Sequence, residues 1–232
     1  MTVPYETAKK DLLQAALNHV AFDGWSEATF LAAIRDADMS PSVARAVCPR
    51  GSVDLAIAFH KAGDEAMLTR LKETDLSDMK FREKITAAVR FRIEAVEDKE
   101  AVRRGTTLFA LPMYTADGAK LIWGTCDAIW TALGDTSEDV NWYTKRATLS
   151  GVYSATVLYW LGDDSPDYSA TWDFLDRRIE DVMQIEKLKA KARNSPTISK
   201  LMTGPNWLMS QVKAPTRFSK ADLPGSWTTP RE

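Results

Sequence analysis

The stretch WSEATFLAAIRDADMSPSVARAV, Trp25–Val47, carries two helical patterns around a tight turn. Ser26 stands where a cap would open the first helix, and Phe30 and Ile34 recur at i, i+4 on its inner face. Ser40 can cap a shorter second helix, with Pro41 at its first position. Helix, tight turn, short helix is the order of a helix-turn-helix unit. Just upstream, Leu13, Ala16, Leu17 and Val20 repeat at i, i+3, i+4, i+7, so residues from about Tyr5 to Phe22 read as a preceding helix, which Gly24 ends.

Downstream the periodicity stays helical. Segments from about Val53 to Leu71, around Phe81, Ile85, Val89 and Val96, and from about Lys99 to ALPMY each form a helix. GAKLIWGTCDAIWTALG, NWYTKRATLSGVYSATVLYWLG (Asn141–Gly162) and YSATWDFLDRRIEDVMQIEKLKAKARN supply three more. Strand alternation and hairpin dipeptides are not evident. The expected class is all-α: a three-helix unit over residues 1–51, a larger helical bundle over 52–195, and a Pro-interrupted tail over 196–232. The three-helix head resembles that of TetR-type repressors. Its recognition helix, Pro41 to Val47, offers only Ser42 and Arg45 for phosphate and base contacts. Arg35 and Arg50 are offset by Asp36, Asp38 and Asp54. No specific DNA binding is therefore expected, and Val43, Ala44, Ala46 and Val47 are expected to pack.

Of 232 residues, 45% are hydrophobic and 27% charged, enough apolar material for a packed core. A net charge of −2 gives no overall pull towards nucleic acid or anionic lipid. Cys48 and Cys126 lie far apart in no metal-like or redox-like spacing, which fits a reducing compartment. No apolar run approaches the ~18 residues of a spanning helix. His19 and His60 lack the Glu-x-x-His context of a di-iron bundle. Phosphate-binding and nucleophile-elbow motifs are missing too, so neither a catalytic residue nor a metal ligand is assigned.

Two helices are unusually rich in large rings. Trp123 and Trp130 lie seven apart among Leu121, Ile122, Ile129 and Leu133. In the next helix Leu149, Val152, Tyr153, Thr156 and Trp160 form one stripe, which Val157, Leu158 and Leu161 widen. Such wide apolar coverage fits a central core position, an oligomer interface or the wall of a lipid pocket. A pocket would use Trp123, Thr125, Ile129, Trp130, Tyr153, Thr156, Val157 and Trp160, with Thr125, Ser150, Ser154 and Thr156 as its polar groups. Its occupant would be a phospholipid, fatty acid or quinone, with no cofactor. Asn141, Trp142, Tyr143, Lys145 and Arg146 precede the stripe, and exposed Trp, Tyr and Arg suit either a protein interface or local packing. In the tail, Leu201, Met202, Trp207, Leu208 and Met209 are interleaved with Lys200 and Lys213. That composition suits an interfacial membrane segment or a tail docked on the bundle.

NWYTKRATLSGVYSATVLYWLGDDS (Asn141–Ser165) and TWDFLDRRIEDV (Thr171–Val182), with GWSEATFLAAIRDADMS (Gly24–Ser40) and the CPRG loop in register, resemble the ubiquinone (coenzyme Q) biosynthesis accessory proteins, the ninth coenzyme-Q protein and its bacterial relatives. The resemblance spans roughly Leu12 to Ala190. It implies a TetR-like fold without DNA recognition, a hydrophobic pocket for a lipid or isoprenoid quinone, and homodimerisation. It further implies assistance to the di-iron demethoxyubiquinone hydroxylase through a patch matched by Trp142, Tyr143 and Arg146, with Lys145 at a basic position of the motif. A cytoplasmic location with peripheral contact to the inner membrane follows. The tail departs from the family pattern, because Gly204-Pro205 breaks the candidate amphipathic helix. The competing class is a TetR-type transcriptional regulator that binds DNA and an apolar ligand.

Overall fold

The computed structural model describes residues 5–193 and 212–215. Among these the chain is all-α, as the periodicity requires, and no strand occurs. The helices are α1 Tyr5–Asp23, α2 Glu27–Asp36, α3 Pro41–Val47, α4 Ser52–Glu73, α5 Phe81–Glu94, α6 Lys99–Phe109, α7 Thr115–Ala132, α8 Val140–Leu161 and α9 Ser169–Arg193.

The head is built as its caps dictate. The Ser26 hydroxyl accepts from the Thr29 amide, and the Ser40 hydroxyl from the Val43 amide beside Pro41. The CPRG turn ends at Gly51, whose φ of +60° lies in the left-handed region. A Cβ there would also sit 2.9 Å from an Arg45 nitrogen. Leu12, Ala16, Val20, Phe30, Ala33 and Ala44 are fully buried in one cluster.

That cluster does not stop at residue 51. Leu55 and Ala56 of α4 and Ala101 of α6 complete it, while Met67 and Leu71, about three to four turns further along α4, belong to the second core. There Ile85, Val89, Ile129, Leu149, Val152 and Leu175 bring α5, α7, α8 and α9 together. Helix α4 is thus a spine shared by both cores. On α3 only Ala44 and Val47 face inward; Val43 and Ala46 are exposed, because a seven-residue helix resting on α1 buries one narrow face. Leu201, Met202, Trp207, Leu208 and Met209 lie outside the described residues.

Candidate functional site

An apolar cavity of about 400 Å³ lies between α4, α5, α6, α7 and α8. That is more than twice the ~150 Å³ that admits benzene into an engineered core, and it falls in the usual range for small-molecule sites. The space is open because small residues face it: Ala56 on α4, Ala101 and Gly105 on α6, Gly118 and Ala119 on α7. Larger side chains line the walls, among them Phe59, Ile93, Phe109, Ile122, Val157 and Trp160. The Trp25 ring is held against it by a 3.0 Å bond from Nε1 to the Ala101 carbonyl. Leu158, Ala110, Thr115 and Ala119 line the cavity and are also exposed, so the mouth lies there. Beside it the α6–α7 turn exposes Leu111 and Met113, the latter at 72%.

One wall is polar. Arg92, buried on α5, donates from Nε to Asp64 Oδ1 at 2.6 Å and from Nη2 to the His60 carbonyl at 2.9 Å. Its guanidinium rests on Gly63, where a Cβ would come within 2.5 Å of Nη1. A mid-helix glycine costs ~1 kcal/mol against alanine, and here it makes room for the cation. The Thr125 hydroxyl lies 2.8 Å from both Asp64 Oδ1 and His60 Nε2. Its single proton goes to the carboxylate, so it accepts from His60. Burial, and then the charge of Arg92, pushes the His60 imidazole down to about 3, so it is neutral. Burial pushes the Asp64 carboxyl up against the pull of Arg92, and it pushes the Tyr153 phenol up as well.

A second feature is an aromatic corner at the start of α8. Trp142 and Tyr143 are half-buried, with centroids 4.8 Å apart, and Trp123 packs on both. Arg146 is not part of an exposed anchor. It is 0% exposed, donates to Asp127 at 2.6 Å, Asp135 at 2.9 Å and the Trp142 carbonyl at 3.0 Å, and lies 4.0 Å from the centroid of the Trp142 ring. Its place i−3 from Leu149 and i−7 from Tyr153 puts it on the core stripe. Burial raises the Asp135 carboxyl, but bonds from Lys145, Arg146 and Ser137 more than offset this and hold it well below the usual range. Lys145 reaches Asp135 at 2.8 Å and lies 5.1 Å from the Trp130 centroid, so it too braces this corner. Asn141 is exposed and bonds Asp139 beneath it. The extended segment Val212–Pro215 crosses here: Tyr143 Oη donates to the Lys213 carbonyl, and the Ala214 amide to the Glu138 carbonyl.

Of the expected pocket residues, Tyr153, Val157 and Trp160 line the cavity. The other five do not. Trp123 belongs to the aromatic corner, and Trp130 packs on Phe81 with Nε1 bonded to the Lys145 carbonyl. Ile129 is packed in the second core. Thr156 turns back to the Val152 carbonyl, and Thr125 serves the Asp64 network. The α7 stripe was placed one face round from the cavity, which Gly118, Leu121 and Ile122 line instead. His60, Arg92 and Gly63 were missed. Their signal was present: Arg92 interrupts the apolar stripe Ile85, Val89, Val96, and Gly63 interrupts α4.

Among the described residues no group of three or more His, Cys, Asp or Glu could hold a metal ion, and no helix is long and apolar enough to cross a membrane.

Residues 115–186, spanning α7, α8 and most of α9, match the sequence profile of the COQ9 family. The chain is 34% identical over 188 residues to "Ubiquinone biosynthesis protein COQ9-A, mitochondrial" of Xenopus laevis, covering 77% of this chain and 58% of that protein. The chain is similar to the COQ9 proteins over most of its length. It is 31% identical over 189 residues to the COQ9 protein of Xenopus tropicalis, with the same coverage, and 28% identical over 191 residues to that of Homo sapiens, covering 78% and 59%. It therefore spans about three fifths of the length of these curated relatives. A TetR transcriptional regulator from Nitrosomonas europaea ATCC 19718 superposes with a TM-score of 0.63 at 16% identity, over 75% of this chain and 97% of that one. The fold is TetR-like. Two cavity walls, α7 and α8, lie within the matched COQ9 domain.

Proposed function

We propose that this COQ9-like chain is a non-catalytic lipid-binding accessory protein of ubiquinone biosynthesis. It would take an isoprenoid quinone intermediate into the α4–α8 cavity and present it to the di-iron demethoxyubiquinone hydroxylase. The observation that carries this reading is the cavity itself: about 400 Å³, walled by apolar side chains and opening beside exposed Leu111, Met113 and Leu158. Exposed apolar side chains at the mouth of a lipid cavity suit collection of the ligand at a membrane surface. The relatives' name supplies the pathway, and their mitochondrial setting suits peripheral contact with an inner membrane.

The partner face in this proposal is Asn141, Trp142, Tyr143 and Lys145, without the buried Arg146. Homodimerisation is assigned to the α8–α9 face, where Tyr159 stacks on Phe174 at 4.5 Å and where Tyr159 on α8 and Met183 on α9 are both exposed. The TetR-like fold is the support for the competing reading as a DNA-binding regulator. Against it, Arg45 is paired with Glu27 and lies 4.5 Å from the Phe30 centroid, which leaves α3 presenting Ser42, Val43 and Ala46.

The test is complementation in a host deleted for this chain. Val157→Trp adds a ring inside the cavity. The wild-type chain should restore ubiquinone and lower the demethoxy intermediate, whereas folded Val157→Trp should not. Full restoration by that variant would refute a role for the cavity.

A further inference from the structure

Tyr153 is 5% exposed, lines the cavity, and has no hydrogen bond for its hydroxyl among the described residues. Buried phenols ordinarily find a partner, because an unpaired hydroxyl in an apolar site loses its hydration without compensation. Beside it stands Arg92, two of whose nitrogens are committed to Asp64 and to the His60 carbonyl, while Nη1 donates to nothing among the described residues. The polar wall therefore holds free donors and no net charge. The Arg92 cation is matched by the Asp64 carboxylate at 2.6 Å, and His60 is a neutral imidazole engaged with Thr125.

We infer that this wall is a head-group subsite: Tyr153, supported by the Arg92–Asp64 pair, hydrogen-bonds a neutral carbonyl or ether oxygen at the inner end of an otherwise apolar ligand. The inference rests on the cavity reading above and narrows it. A carboxylate or phosphate head would add an unmatched negative charge to an apolar enclosure, since the one cation present already has its counter-ion. A pure hydrocarbon would leave the Tyr153 donor unpaired. A neutral oxygen acceptor does neither. Of the three occupants that composition allows, fatty acid and phospholipid are disfavoured, and a quinone-like head is favoured.

The full chain, stripped of bound lipid, is titrated by displacement of an apolar fluorescent dye. The probes are a long-chain methyl ketone, the n-alkane of equal length and the fatty acid of equal length, all above neutral pH. The ketone should bind about fivefold more tightly than the alkane, the equivalent of ~1 kcal/mol, and more tightly than the ionised fatty acid. Tyr153→Phe, which removes only the hydroxyl, should abolish the ketone's advantage without weakening the alkane. Fatty acid binding above ketone, or an equal loss for ketone and alkane in Tyr153→Phe, overturns the subsite while leaving the cavity reading intact. If Tyr153→Phe fails to fold, the wild-type ranking of the three probes decides alone. If no probe binds the wild-type chain, the cavity reading fails and the subsite with it.

Discussion

Arg146→Met replaces the guanidinium with an apolar chain of similar length. In the folded protein the guanidinium is fully buried between Asp127 and Asp135, and Asp135 is itself only 2% exposed. The substitution leaves Asp135 enclosed with one of its two charged partners gone. Removing one partner of a buried ion pair costs about 3–5 kcal/mol, because the remaining charge is left uncompensated. Lys145 still reaches Asp135 at 2.8 Å, so the lower end, about 3 kcal/mol, is expected. In a chain of this size each kcal/mol moves Tm by about 2–4 °C, giving a fall of about 6–12 °C. Thermal melts by circular dichroism measure it. The companion variant Asp135→Asn should recover part of the loss in the double mutant, since the two residues share one network. An unchanged Tm in Arg146→Met, with partner binding lost, would refute the structural role and return Arg146 to the surface patch.

The remaining expectations concern pH and the aromatic corner. His60 titrates near 6.5 in the unfolded chain and near 3 when folded, so between these values the unfolded state binds the extra proton and stability falls as pH drops. Asp64, whose carboxyl burial pushes up, acts in the opposite direction and softens the slope; Arg92 and Tyr153 stay protonated throughout. Below about pH 4, where a carboxylate of ordinary pKa protonates when unfolded, Asp135 and Asp163 add their own losses, since both are held below the usual range. Urea melts from pH 7 to 4.5 should show this decline, and His60→Gln should flatten it; an identical decline in the variant would contradict the assignment. Trp142→Ala should weaken binding to the demethoxyubiquinone hydroxylase by about tenfold or more. It should also lower Tm modestly, because Trp142 packs on Trp123 and under Arg146. Unchanged affinity, measured by biolayer interferometry, would misplace the partner face.

The architecture was legible because its signals are local. Ser26, Ser40 and Pro41 set the helix-turn-helix order, and apolar residues at helical spacing mark each core stripe. The cavity was legible only in part. A stripe such as Val152, Tyr153, Thr156, Trp160 says that a face is buried, not whether side chains or empty space lie opposite. The space here is set by small residues, Ala56, Gly105 and Gly118, contributed by three separate helices. The charged side chains misled in a different way. Arg146 sits at a core position of its stripe, yet an arginine beside aromatic residues suits an exposed anchor equally well until Asp127 and Asp135 are brought to it by folding; Arg92 also sits at a core position, and its partner Asp64 comes from another helix.

The most direct measurement is mass spectrometry of lipids extracted from the purified chain, compared with lipids from Val157→Trp prepared identically. We expect a near-stoichiometric, neutral-headed isoprenoid species from the wild-type chain and its loss from the variant, with both proteins folded. Recovery of no lipid from the wild-type chain, or of the same lipid in the same amount from both, would contradict a ligand-holding cavity between α4 and α8.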